Sequence, residues 1–139
     1  MIIKFRVWDP AYKKIKPING IFWQKDDSLE SLLYSSPSPS EIKEQSKNKK
    51  LFSLKDYTLM QYSGLKDVHY QPIFDGDILQ DIESNMLWVV MNNEEDAGFT
   101  VKLINTSGHI AHYLATFMLQ KPVKVIGNIY EHPELRKQE

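Results

Sequence analysis

The chain opens with Ile3, Phe5 and Val7 alternating with Lys4, Arg6 and Trp8. That period of two predicts a half-buried strand. Asp9-Pro10 ends it, because proline lacks the N–H that a ladder needs. Residues 14–24 follow, centred on Asn19-Gly20, a pair that suits a type I′ turn. They predict a hairpin with arms 15–18 and 21–23, and Pro17 places the first arm at a sheet edge. Asp27-Ser28-Leu29-Glu30 has the form of a capping box, and Leu29, Leu32 and Leu33 share a helical face. A short helix is expected there. Ser35-Ser36-Pro37-Ser38-Pro39-Ser40 reads as a loop. Ser38-Pro39-Ser40-Glu41 then starts a charged, exposed turn or short helix through Gln45.

β signals return at residue 57. Residues 57–62 are aromatic-rich and strand-like, and Ser63-Gly64 breaks them. Ile73-Phe74 is a short strand, Asp75-Gly76 a turn, and residues 77–82 alternate again. Ser84-Asn85 joins them to residues 86–91, which are apolar on both faces and predict a central, doubly covered strand. Residues 92–98 form an acidic turn. Phe99, Val101 and Leu103 alternate with Thr100, Lys102 and Ile104. Ile110, Tyr113, Leu114, Phe117 and Met118 fit helical spacing, although Thr116 and the aromatics would suit a strand; we read a helix. Residues 123–126 are a last core strand, and His132-Pro133-Glu134-Leu135 can start a helical turn.

The 139 residues suit one domain or two small intertwined subdomains. With 42% hydrophobic and 12% aromatic residues the chain can bury a core without metal or disulfides. It has no cysteine, which removes disulfides, thiolate catalysis and cysteine zinc sites and fits a reducing, cytoplasmic setting. The N-terminus is charged by its fourth residue, unlike a signal peptide. No apolar run approaches the roughly 18 residues of a membrane span, so no membrane partner is expected. Net charge is -1 but uneven. Residues 1–66 carry 12 Lys or Arg against 7 Asp or Glu (+5), and residues 67–139 carry 5 against 11 (-6). This is either scattered solvated charge, or attraction between the halves within a chain or between subunits, or a basic face for nucleic acid.

Asp67, Asp75, Asp77 and Asp81 form the densest carboxylate group, the residue type that hard cations or acid–base chemistry would need. The other reading is Asx-turn capping, with Gly64, Asp67, Asp75, Gly76, Asp77, Gly127 and Asn128 as structural turn residues. We favour the latter and assign no metal, cofactor or catalytic residue. His109 and His112 are three apart without an acidic third ligand nearby, and read as ordinary polar residues. The glycines are too scattered for a phosphate loop, and there is no Gly-x-Ser-x-Gly elbow. Lys4, Arg6, Trp8, Lys13 and Lys14 offer a candidate interaction or nucleic-acid face, since cations beside aromatics hold phosphates and stack bases. The sequence pI of about 6.4 is low for a dedicated binder.

Four stretches stand out together: Phe5-Arg6-Val7-Trp8-Asp9, Leu59-Met60-Gln61-Tyr62-Ser63-Gly64-Leu65-Lys66-Asp67, Ile73-Phe74-Asp75-Gly76-Asp77-Ile78, and Val125-Ile126-Gly127-Asn128-Ile129-Tyr130-Glu131-His132-Pro133-Glu134-Leu135. In this order they resemble the YopX family of phage and prophage proteins. The resemblance implies a β-rich fold, an origin in Gram-positive phages or prophages, and self-association. It brings no catalytic residue set. The chain departs from the pattern after Asp67, where a Lys-Asn-Gly-like turn is replaced by Val68-His69-Tyr70-Gln71-Pro72. Residues 37–50 match no family pattern.

The expectation is a mainly β fold of small curled sheets or partly open barrels with seven or eight strands and two or three short helices. It is a single YopX-like domain over residues 1–139, with an N-terminal β hairpin region (1–25), a helical and flexible insertion (26–50) and a C-terminal β-rich part (51–139). The expected function is a non-enzymatic phage accessory protein in the host cytoplasm, a homo-oligomer with a host or phage protein partner. A small β nucleic-acid-binding module is the alternative, and a metal-assisted enzyme comes third.

Overall fold

The computed structural model describes residues 4–10, 12–23, 29–34, 58–93, 95, 97–104 and 110–137. It is mainly β, with ten strands, one α-helix and one 3-10 turn among those residues. The chain forms two compact units, one of Phe5–Leu59 and one of Met60–Glu139 together with Met1–Lys4.

The first unit holds β1 (Phe5–Asp9), β2 (Lys14–Trp23) and β3 (Leu29–Tyr34), with β2 between the other two. The alternation of β1 is real: Val7 and Asp9 are buried, while Arg6 and Trp8 are half-buried. The β1–β2 turn is held by Asp9, whose Oδ1 accepts the Tyr12 N–H at 3.3 Å. Lys13 takes a left-handed backbone there, at φ 53.

Three sequence expectations fail in this unit. Asn19-Gly20 makes no hairpin turn; β2 runs straight through it, with a register shift against β3 between Ile18 and Gly20. Pro17 is not on an edge strand. It pairs with Arg6 at the end of the β1 register, just where β2 changes partner to β3, so little ladder is lost at its missing N–H. The predicted helix over residues 27–33 is β3, paired from Trp23↔Leu29 to Ile18↔Tyr34. The long partner strand β2 overrides a weak local helical signal. Asp27, Ser28 and the second expected helix, residues 38–45, lie outside the described residues.

The second unit contains the greater part of β4 (Thr58–Lys66), which pairs with β5 (Pro72–Phe74), and a five-stranded antiparallel sheet. The sheet order is β10 (Val123–Asn128), β6 (Asp77–Asp81), β7 (Leu87–Asn93), β8 (Gly98–Leu103) and β9 (Ala111–Tyr113). Gly64 does not end β4. At φ 85 it lies in an irregular stretch of the ladder, between the pairs Tyr62↔Phe74 and Lys66↔Pro72. Trp88, Val89 and Val90 are buried in succession, so both faces of β7 are covered. Ile73, Leu79, Trp88, Val90, Val101, Leu114, Phe117 and Val123 form one core cluster.

The segment read as one helix is split. Ala111–Tyr113 is strand β9, paired antiparallel with β8 with Val101↔His112 in register, and α1 (Leu114–Gln120) begins only afterwards. Leu114 and Phe117, three apart, anchor α1 in the core, whereas Ile110 and Tyr113 are exposed. Local apolar spacing could not separate the two because strand and helix follow without a break.

Candidate functional site

The five-stranded sheet has two ends. At one, here the glycine end, the β5–β6 turn, the β7–β8 turn and the end of β10 meet. Asp75 N–H donates to the Gln61 carbonyl (2.9 Å), Gly76 N–H to the Val90 carbonyl (2.8 Å), and Ile129 N–H to the Gly76 carbonyl (3.0 Å). Asp75 Oδ1 accepts the Asn92 N–H (3.1 Å), and buried Asp77 accepts the Phe74 N–H through Oδ2 (2.8 Å). Gly76 is required twice over. Its φ is +87, and a Cβ would sit 3.1 Å from Tyr130 Cε2.

Beyond β10, buried Asn128 organises the Gly127–His132 turn. Its Oδ1 accepts the N–H groups of Tyr130 (3.1 Å) and Glu131 (2.8 Å), and its Nδ2 donates to Glu131 Oε1 (2.8 Å). Its own N–H donates to His132 Nδ1 (3.2 Å), and that ring lies so close to Gly127 that a Cβ there would be 2.5 Å from it. Gly127 also adjoins the β10 bulge, between Val125 and Gly127 in register.

At the other end, the helix end, the β4–β5 turn, the β6–β7 turn and the link from α1 to β10 meet. Asp67 is the hub. Its Oδ1 accepts the N–H groups of His69 and Gln71 and its Oδ2 that of Val125, all at 2.8 Å. Val68 N–H donates to the Val123 carbonyl (3.1 Å), and Ile82 N–H to the Pro122 carbonyl (2.9 Å), so the three segments are tied together. Asp81 accepts the Glu83 N–H (3.0 Å) and the Ser84 hydroxyl (2.9 Å), with Lys121 Nζ at 4.0 Å. Burial works against charge on Asp81. The hydrogen bonds from the Ser84 hydroxyl and the Glu83 and Ser84 N–H groups, helped by Lys121, outweigh it and hold the carboxyl below its usual range.

The four aspartates therefore do not converge. Asp75 and Asp77 serve one end and Asp67 and Asp81 the other; four strand steps, about 13 Å, separate Asp77 from Asp81. Each accepts main-chain N–H groups, the role an Asx turn gives it. Among the described residues no three His, Asp or Glu side chains gather as a metal site. His112 lies in β9, 5.7 Å by ring centroid from Trp88 and 5.8 Å from Phe117. His109 lies outside the described residues. Of the residues of the expected interaction face, Lys4, Lys13 and Lys14 are exposed and Arg6 and Trp8 half-buried. Neighbouring Lys16 is committed to Asp9 at 3.1 Å and lies over the Tyr12 ring.

The helix end carries a feature that the sequence reading missed. Eight large apolar side chains are exposed among the described residues, and five of them (Val68, Tyr70, Ile82, Met86 and Leu119) belong to the three segments that meet there. Leu119 is 86% exposed and Tyr70 81%. An open groove of about 350 Å³ runs between Lys66 and Val68 on one side and Met118, Leu119, Lys121 and Pro122 on the other. Tyr70 holds φ 62, a left-handed angle unfavourable for an aromatic residue. One signal of this patch was legible: Val68 and Tyr70 lie in the stretch Val68-His69-Tyr70-Gln71-Pro72, where the chain departs from the Lys-Asn-Gly-like turn of the YopX-like pattern. Leu119 sits outside the apolar spacing that picked out Phe117 and Met118, and gave no signal.

Among the described residues no helix is long and apolar enough to cross a membrane. A family model described as YopX protein matches residues 4–137. The crystal structure of protein EF1440 from Enterococcus faecalis is similar in fold, with a TM-score of 0.68 and 21% identity over 98% of this chain and 99% of that one. A comparison with curated proteins gives no match.

Proposed function

The chain belongs to the YopX protein family, and from that premise we propose that it is a non-enzymatic interaction module. It acts as a phage or prophage accessory protein in the host cytoplasm, associating with copies of itself and with a protein partner. The observation that carries this reading is the concentration of exposed apolar side chains at the helix end, beside an open groove. Solvent-facing apolar residues scattered singly need no explanation, but a gathered patch marks a contact surface. The commitment of Asp67, Asp75, Asp77 and Asp81 to main-chain N–H groups supports a structural rather than a chemical role for the most acidic stretch.

Light scattering on a size-exclusion column across a dilution series tests it. The expected mass exceeds the 16.2 kDa of one chain and falls on dilution. A mass of one chain at every concentration would contradict the self-association.

A further inference from the structure

We propose that the helix end pairs with the helix end of a second copy about a twofold axis, the β6–β7 turn of each copy entering the groove of the other. This rests on the self-association proposed above and adds its geometry. Groove and turn are neighbours, since the Ile82 N–H donates to the carbonyl of Pro122, a groove residue, at 2.9 Å. They divide the exposed patch between them. Val68 and Leu119 line the groove, whereas Ile82 and Met86 flank the turn and do not line it. A surface that presents both a cleft and apolar groups able to fill it is self-complementary, as an isologous contact demands.

Charge makes the same selection. Lys66 stands at the groove and Glu83 in the turn, both exposed, and neither side chain has a partner among the described residues. The other charged groups of groove and turn are met within the chain. Lys121 Nζ lies 4.0 Å from Asp81, Asp81 also accepts the Ser84 hydroxyl, and buried Asp67 accepts three N–H groups. One free charge of each sign therefore remains, on the two parts that exchange places. A twofold axis turns them into two Lys66–Glu83 pairs. Exposed pairs add little affinity, so they set the register and the apolar groups supply the association. Val68, Tyr70, Ile82, Met86 and Leu119, exposed by 41% to 86%, offer apolar area on the order of 400 Å². That approaches the roughly 500 Å² of apolar surface that each side of a standard homodimer interface buries.

The twofold axis makes a charge-exchange test possible. Lys66→Glu alone sets two carboxylates against each other at both pairs, and Glu83→Lys alone sets two ammonium groups. Both positions are exposed, and thermal melting followed by circular dichroism checks that each variant stays folded. In sedimentation equilibrium the parent chain is expected to reach twice the 16.2 kDa of one chain and to go no higher. Each variant alone is expected to associate about tenfold more weakly. An equimolar mixture of the two is expected to recover the parent affinity, because the heterodimer restores both opposite-charge pairs. Leu119→Asp, which charges the apolar groove in both copies, is expected to weaken association at least about tenfold. Variants that associate like the parent, a mixture that does not recover, or growth beyond the dimer would overturn the twofold pairing while leaving self-association standing. A parent chain that is monomeric throughout would remove both and leave the patch to a different protein.

Discussion

In the β5–β6 turn the left-handed backbone position is filled by Gly76 at φ +87; in the β4–β5 turn it is filled by Tyr70 at φ 62. Both turns are built around an aspartate that accepts main-chain N–H groups, Asp75 at one and Asp67 at the other. The difference lies in what the turn does next. Gly76 lets Tyr130 close down on the backbone, and the turn disappears into the fold. Tyr70 closes on nothing in its own chain's core and stands in solvent. A left-handed L-residue costs roughly 1–2 kcal/mol, so the β4–β5 turn carries strain that the β5–β6 turn avoids. One turn packs into the fold and the other leaves its side chain in solvent.

The comparison is most severely broken at its hubs. Asp67→Ala removes the acceptor of three N–H groups and is expected to cost about 3 kcal/mol, measured by urea unfolding. Gly76→Ala adds a strained φ and a Cβ against Tyr130, and should cost about 2–3 kcal/mol. Gly64→Ala isolates the backbone contribution. Its φ is 85, but nothing lies within 4 Å of an added Cβ, so a loss near 1 kcal/mol is expected. Tyr70→Gly should move two readouts in opposite directions, raising stability by about 1 kcal/mol while weakening assembly. If Tyr70 were merely tolerated, only the first would change.

The smallest effect is electrostatic. The folded Asp81 carboxyl titrates below its ordinary value of 3.8. A depressed carboxylate contributes stability that is complete above the unfolded value and is lost as pH falls through the folded one. Unfolding midpoints measured from pH 5 downward should therefore fall less steeply for Asp81→Asn than for the parent chain, with the difference opening below about pH 4.

Much of the C-terminal unit was legible because its strands are marked by their own residues. The apolar run of β7, the Asp75-Gly76 turn and the alternation of β8 each carry a local signal that tertiary structure upholds. The N-terminal unit was misread where two local signals competed with a partner strand. Asn19-Gly20 and the Asp27–Glu30 pattern both describe what isolated segments prefer, and the long β2 strand, pairing first with β1 and then with β3, decided otherwise. The turn chemistry of Asp67, Asp75 and Asn128 follows from residue type, but the contact patch does not. It is assembled from the β4–β5 turn, the β6–β7 turn and the end of α1, segments up to some fifty residues apart in sequence, and only the folded sheet brings Val68, Ile82 and Leu119 to one end.

Amide hydrogen exchange on the parent chain, compared between assembling and dilute concentrations, tests the central claim most directly. The account predicts slower exchange on assembly at the helix end, in residues 66–70 and 118–122. No added protection there would contradict it.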